Sequence, residues 1–212
     1  MRTAQSLTLS LSVAALIVGA ATLAHAQNSP QTPSRSPERA APPSDTPAQP
    51  AGRQKILDEL FERLAKAQDR DEARGIAGAI ERVWSRSGSD TADLLMERVN
   101  TLFRQKDFKV ARDMLDRLVE IEPQWSEVWS RRATSRFLDR DYAGAMEDLA
   151  HVLRIEPRHF MALVGVGTIL EREENKAQAL RVFRRALEIN PQLGDIRSKV
   201  EKLTIEVDGR EI

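Results

Sequence analysis

From residue 92 to residue 193, apolar residues return every 34 positions, and inside each period they step by three or four. Phe108, Ala111, Leu115 and Leu118 advance by three, four and three, which draws one face of a 3.6-residue helix. Tyr142, Ala145, Leu149 and Val152 repeat that face, and Ala179, Phe183 and Ala186 repeat it again. An earlier set in each period aligns Leu95, Trp129 and Leu163, then Val99, Ala133 and Gly167. The spacing predicts two helices per period. Prolines bound them: Val119–Pro123, Leu153–Pro157 and Leu187–Pro191 are nearly one phrase, and no other proline follows Pro50. A proline inside a helix costs about 3 kcal/mol, and the residue before it avoids the α region, so helices should end near Glu122, Glu156 and Asn190. Asp107, Asp141 and Asn175 stand just before the second helices and are expected N-caps. The units are Ala92–Trp125, Ser126–His159 and Phe160–Leu193, and their period predicts an all-α solenoid of stacked helix pairs.

The pattern resembles the tetratricopeptide repeat (TPR). Unit three carries the resemblance best, through Leu163, Val166, Gly167, Leu170, Ala179, Phe183, Ala186 and Pro191. Unit two matches with Trp129, Ala133, Phe137, Tyr142, Ala145, Leu149 and Pro157, and departs at Arg132 and Arg136, where the family has apolar residues. Unit one departs at Arg98 and Val99. The resemblance covers Ala92 to Leu193, about half the chain.

Two flanking segments extend the array. Residues 53–91 read as a degenerate leading repeat, with Phe61, Leu64, Ala65 and Ala77 in place and an apolar stripe of Ile76, Ile80, Val83 and Trp84. Ser89 stands where the proline would be. Residues 194–212 read as a capping helix and tail, with Ile196, Val200, Leu203 and Val207 on one face and charges elsewhere. A solenoid end needs such a polar outer face.

The chain's start changes the picture of where it works. Residues 1–26 carry Arg2, an uncharged apolar stretch over Leu7–Leu23 and the small-residue site Ala24-His25-Ala26, which reads as a secretory signal peptide. Export to the periplasm is expected; an uncleaved segment would instead anchor the protein in the membrane. Residues 27–52 hold seven of the ten prolines with almost no aliphatic bulk, and read as a disordered linker. There is no cysteine, hence no disulfide framework and no thiolate chemistry.

Charge and side-chain chemistry argue against catalysis. Lys and Arg total 32, as do Asp and Glu, interspersed along the helices, so no basic patch suggests nucleic acid. Once residues 1–26 are removed, His151 and His159 remain, and both read as surface residues without a second ligand at metal spacing. Gly165 and Gly167 sit inside a repeat helix rather than in a phosphate loop. Trp84, Trp125 and Trp129 read as packing residues. No enzyme activity, cofactor, metal or small-molecule substrate is expected.

The resemblance implies a concave groove lined by the first helix of each unit. Carried over, unit one supplies Asp93, Met96, Asn100, Phe103 and Arg104; unit two Glu127, Ser130, Thr134, Phe137 and Leu138; unit three Met161, Val164, Thr168, Glu171 and Arg172. The set that grips terminal carboxylates in some members is met here only by Asn100, so an apolar peptide or amphipathic helix is the expected ligand. A non-catalytic protein-interaction adaptor is the leading expectation. A homo-oligomeric structural module of the cell envelope is the alternative. Met96, Phe103, Phe137 and Met161 could equally pack between adjacent first helices.

Overall fold

The computed structural model describes residues 51–209, and the segments read as signal peptide and most of the linker lie outside them. Nine helices and no strand occupy the described residues: α1 (Ala51–Lys66), α2 (Arg70–Trp84), α3 (Asp90–Arg104), α4 (Phe108–Ile121), α5 (Ser126–Leu138), α6 (Tyr142–Ile155), α7 (Phe160–Arg172), α8 (Lys176–Ile189) and α9 (Gly194–Asp208). The array is an all-α solenoid in which α3–α4, α5–α6 and α7–α8 are the three units.

Local chemistry fixes each helix end. Glu122, Glu156 and Asn190 leave the helical region just before the prolines. Asp107 and Asp141 accept from Val110 N–H and Gly144 N–H as N-caps. Asn175 takes the expected N-cap position of α8, but its side chain makes no such bond. Between the helices of a unit the chain passes through the left-handed region at Lys106 (φ 61°), Arg140 (φ 63°) and Glu174 (φ 58°), themselves 34 residues apart. There the amides of Asp107, Asp141 and Asn175 reach back to the carbonyls of Leu102, Arg136 and Leu170, closing the helix end as a Schellman turn does.

Within units, small residues admit large ones. Ala111, Ala145 and Ala179 are fully buried, and Gly167 lies against the ring of Phe183. The two arginines that break unit two's apolar pattern have a structural role. Arg132 Nη2 lies 2.8 Å from Asp148, whose side chain is almost sealed, while Arg132 Nη1 reaches Asp116 of α4 at 2.9 Å. Arg136 adds a second cation at 3.4 Å from Asp148. The buried carboxylate is compensated on both sides, and units one and two are linked through Arg132.

The largest departure from expectation is the leading hairpin. Residues 53–91 do hold two helices, yet α2 does not stack on α3 as α4 does on α5 or α6 on α7. The hairpin lies instead along the edge where one unit passes to the next. Trp125 Nε1–H donates to the Trp84 carbonyl at 2.7 Å. The His159 ring stacks on Trp84, with centroids 4.1 Å and planes 8° apart. Leu193 and Ile189 pack into the cluster of Leu57, Phe61, Leu64, Ile76, Ile80 and Phe160. Arg158 ties the same edge to Asp58 at 2.7 Å. Trp125, His159 and Leu193 are the last residues of their units, so one position of the repeat meets the hairpin three times. At the other end α9 buries Ile196 and Leu203 against Leu170, Leu180 and Phe183 of unit three. Val207, expected on that apolar face, is exposed.

Candidate interaction groove

The first helices α5 and α7 frame an apolar hollow of about 260 Å³. Its floor is Ala133, Ala145 and Leu149, and it opens between Ser130, Thr134 and Phe137 on one side and Met161, Val164 and Thr168 on the other. Gly165 is what leaves Leu149 reachable, since a side chain there would meet Leu149 at 3.1 Å. The hydroxyls of Thr134 and Thr168 donate to the carbonyls of Ser130 and Val164, one turn back in their own helices. Their hydroxyl protons are therefore already used and are not free donors to the hollow.

Helix α2 walls this surface. Its Gly78, Glu81 and Arg82 face Glu127, Ser130, Arg131, Thr134 and Met161 across a second hollow, of about 490 Å³. Its Arg70, Arg74 and Ala77 face Met161 and Val164 across a third, of about 450 Å³. Burial pushes the Glu127 carboxyl above the ordinary range, partly offset by Arg131 at 2.7 Å. The chemistry on offer is an apolar slot with small hydroxylated shoulders, rimmed by guanidinium and carboxylate groups.

Six of the ten residues singled out from sequence meet around the apolar hollow: Ser130, Thr134, Phe137, Met161, Val164 and Thr168. Met161 is the most accessible of its apolar members, at 46 % exposure. Phe137 is half-buried and leans on Tyr142, with centroids 5.4 Å apart. The unit-one residues do not join them. Met96 is 3 % exposed and belongs to the core of α3–α4, so it packs inward instead of lining an accessible groove. Phe103 sits edge-on to Phe108 at 5.5 Å, Arg104 donates to Thr101 on its own helix, and Asn100 borders a separate hollow with Glu97 and Arg131.

The two histidines divide: His151 is partly exposed, in keeping with its surface reading, and His159 is not. His151 stacks on Trp129, centroids 4.0 Å apart. His159 is buried; its Nδ1 accepts from the Ala162 N–H at 3.1 Å and so caps α7, which places the proton of the neutral ring on Nε2. Burial lowers its pKa to about 4. Among the described residues no group of three His, Asp or Glu side chains is placed to hold a metal ion. No described helix is long and apolar enough to cross a membrane. What the sequence reading missed is the α2 wall. The one signal for it was the large residue closing each unit, Trp125, His159 and Leu193.

Comparison with known proteins agrees with this architecture. A family model described as tetratricopeptide repeat matches residues 131–193. A TPR repeat-containing protein of Rhizobium etli is 38 % identical over 153 residues, covering 72 % of this chain and 75 % of that protein. Among solved structures, the first TPR of Spaghetti (RPAP3) bound to an HSP90 peptide has a TM-score of 0.52 at 20 % identity, over 55 % of this chain and 93 % of that one. The type III secretion chaperone SycD of Yersinia enterocolitica, in complex with a peptide of the translocator YopD, has a TM-score of 0.53 at 14 % identity, over 56 % and 95 %. MamA RS-1 has a TM-score of 0.51 at 15 % identity, over 74 % and 85 %. At these identities the structural likenesses speak for the fold.

Proposed function

Because the chain belongs to the tetratricopeptide-repeat family, we propose that it is a non-catalytic adaptor that holds a peptide or helix of a partner protein against α5 and α7, beside the wall made by α2. The observation that carries this reading is the apolar hollow beneath Met161 and Val164, large enough for one apolar side chain and open to solvent. Similar folds in RPAP3 and SycD were solved with peptides, which supports a peptide as the ligand class. Residues 1–26 support delivery to the periplasm, or attachment to the membrane if that segment is retained.

Val164→Glu places a charge at the mouth of the hollow, and Phe137→Ala removes a wall. In an array of random and envelope-protein peptides, each change should weaken captured peptides by at least about tenfold, since buried apolar anchors commonly carry about 2 kcal/mol. Circular dichroism must show the helices intact. Raising salt should weaken capture only slightly, because the contact is not chiefly ionic. Peptide capture that survives both substitutions in a folded protein would remove the groove from consideration.

A further inference from the structure

Among the described residues, the leading side of unit one lacks the cover that each later unit has. Val128 and Ala162 hold the third place of units two and three and are 0 % and 1 % exposed; Leu94 holds that place in unit one and is 67 % exposed. Ser135 and Ile169 are fully buried, while their counterpart Thr101 is not. Val110 and Ile121 of α4 are exposed too, at 43 % and 61 %. They lie roughly 120–180° round the helix, at about 100° per residue, from Arg112 and Asp116, the residues that reach the C-cap Asp139 of α5 and Arg132 within it. The hairpin that chain order would put over this side is engaged along the loop edge instead. The opposite end of the array is covered by α9.

We propose that this face pairs with the same face of a second copy, α3 running antiparallel to α3 about a two-fold axis. The charge pattern selects that occupant. Asp90, Leu94, Glu97, Thr101 and Arg104 are spaced four, three, four and three, so they form one stripe, acidic at its start and basic at its end, with Arg98 beside Glu97. Antiparallel pairing sets Glu97 against the second copy's Arg98, Asp90 against its Arg104, and Leu94 against its Thr101. Because α9 covers the other end, the contact closes on itself and does not propagate into a filament. Each face is two helices of about 14 residues, on the order of 20 Å by 20 Å. That is less than the roughly 800 Å² per partner of a standard stable interface, so pairing is reversible, in the micromolar range or weaker. It is independent of the groove, whose residues lie on α5 and α7.

Sedimentation velocity on the full chain, from about 1 to 300 μM, tests this. A monomer–dimer equilibrium is expected, shifted at least tenfold toward monomer by Leu94→Glu and left unchanged by Ile205→Glu, an exposed position on α9. Glu97→Arg and Arg98→Glu should each weaken the dimer, and the double swap should restore it, since both charges then face their opposites again. Circular dichroism checks that each variant is folded. A monomer throughout the range, a dimer indifferent to Leu94→Glu, or a double swap no better than the singles would overturn the proposal, the first leaving the face to a foreign protein or another segment of the chain.

Discussion

Gly167 shows two local effects in competition. Alanine is a better helix former than glycine by about 1 kcal/mol, which alone would make Gly167→Ala stabilising. A Cβ there would stand 2.5 Å from the Phe183 ring, and Phe183 is fully buried with no room to retreat. Overpacking of this kind costs about 1–3 kcal/mol, so the variant should melt lower than wild type. An unchanged or higher melting temperature would mean that α7 and α8 are not held as closely as the geometry requires. The opposite outcome is expected at Arg140. Its φ of 63° costs a non-glycine residue about 1–2 kcal/mol, and glycine would relieve that while loosening the unfolded chain by somewhat less. Arg140→Gly should therefore stabilise by up to about 1 kcal/mol in chemical denaturation, and clear destabilisation would argue against the left-handed turn.

The helices of 92–193 were legible because their signals are local. Proline, capping residue and three-four spacing all act within one unit, and they place both ends of the second helices to within about a residue. Hairpin α1–α2 was legible only as two helices. The stripe of Ile76, Ile80 and Trp84 requires burial, but nothing in it distinguishes the side of α3 from the edge at His159. The junction there is sensitive to pH, and its sign follows from burial. The His159 pKa near 4 lies below the 6.5 of an unfolded histidine, so the unfolded chain binds the proton more readily. Its contribution is fully present above about pH 6.5 and is lost as pH falls from there through about 4. A shift of that size corresponds to about 3 kcal/mol at most. Glu127, held above the usual carboxylate range, acts in the opposite sense, losing its contribution as pH rises through its folded pKa. The two are separated by His159→Asn, which keeps an N-cap and removes the imidazole. Stability measured by urea at pH 7.5 and pH 5 should fall less in the variant than in wild type. Equal falls would show that His159 is not the group responsible.

Across the whole chain, one strap holds three units in a fixed relation, and that relation forms the groove. Ser130, Thr134, Met161 and Val164 were visible as candidates because they repeat the first-helix pattern, whereas their α2 neighbours Glu81 and Arg82 were invisible, being some fifty to eighty residues away in sequence and brought near by the strap. Stability and recognition should therefore fail together. Residues 27–52 carry almost no aliphatic bulk, so a chain beginning at residue 53 should melt like one beginning at residue 27, and a loss of several degrees would contradict this. Trp84→Ala in the full chain removes the ring that stacks on His159 and packs beside Phe61 and Phe160. Truncating a buried tryptophan costs about 3–5 kcal/mol, or roughly 10 °C for a chain of this size. Hydrogen exchange should then accelerate first in α1, α2 and the 156–160 turn, and only later in α5 and α6, whose mutual packing does not involve Trp84. Captured peptides should weaken at temperatures where α5 and α6 are still protected, because the α2 wall has left. If exchange instead rose uniformly through all nine described helices, the hairpin would be part of one cooperative core, and the groove would not depend on a separable strap.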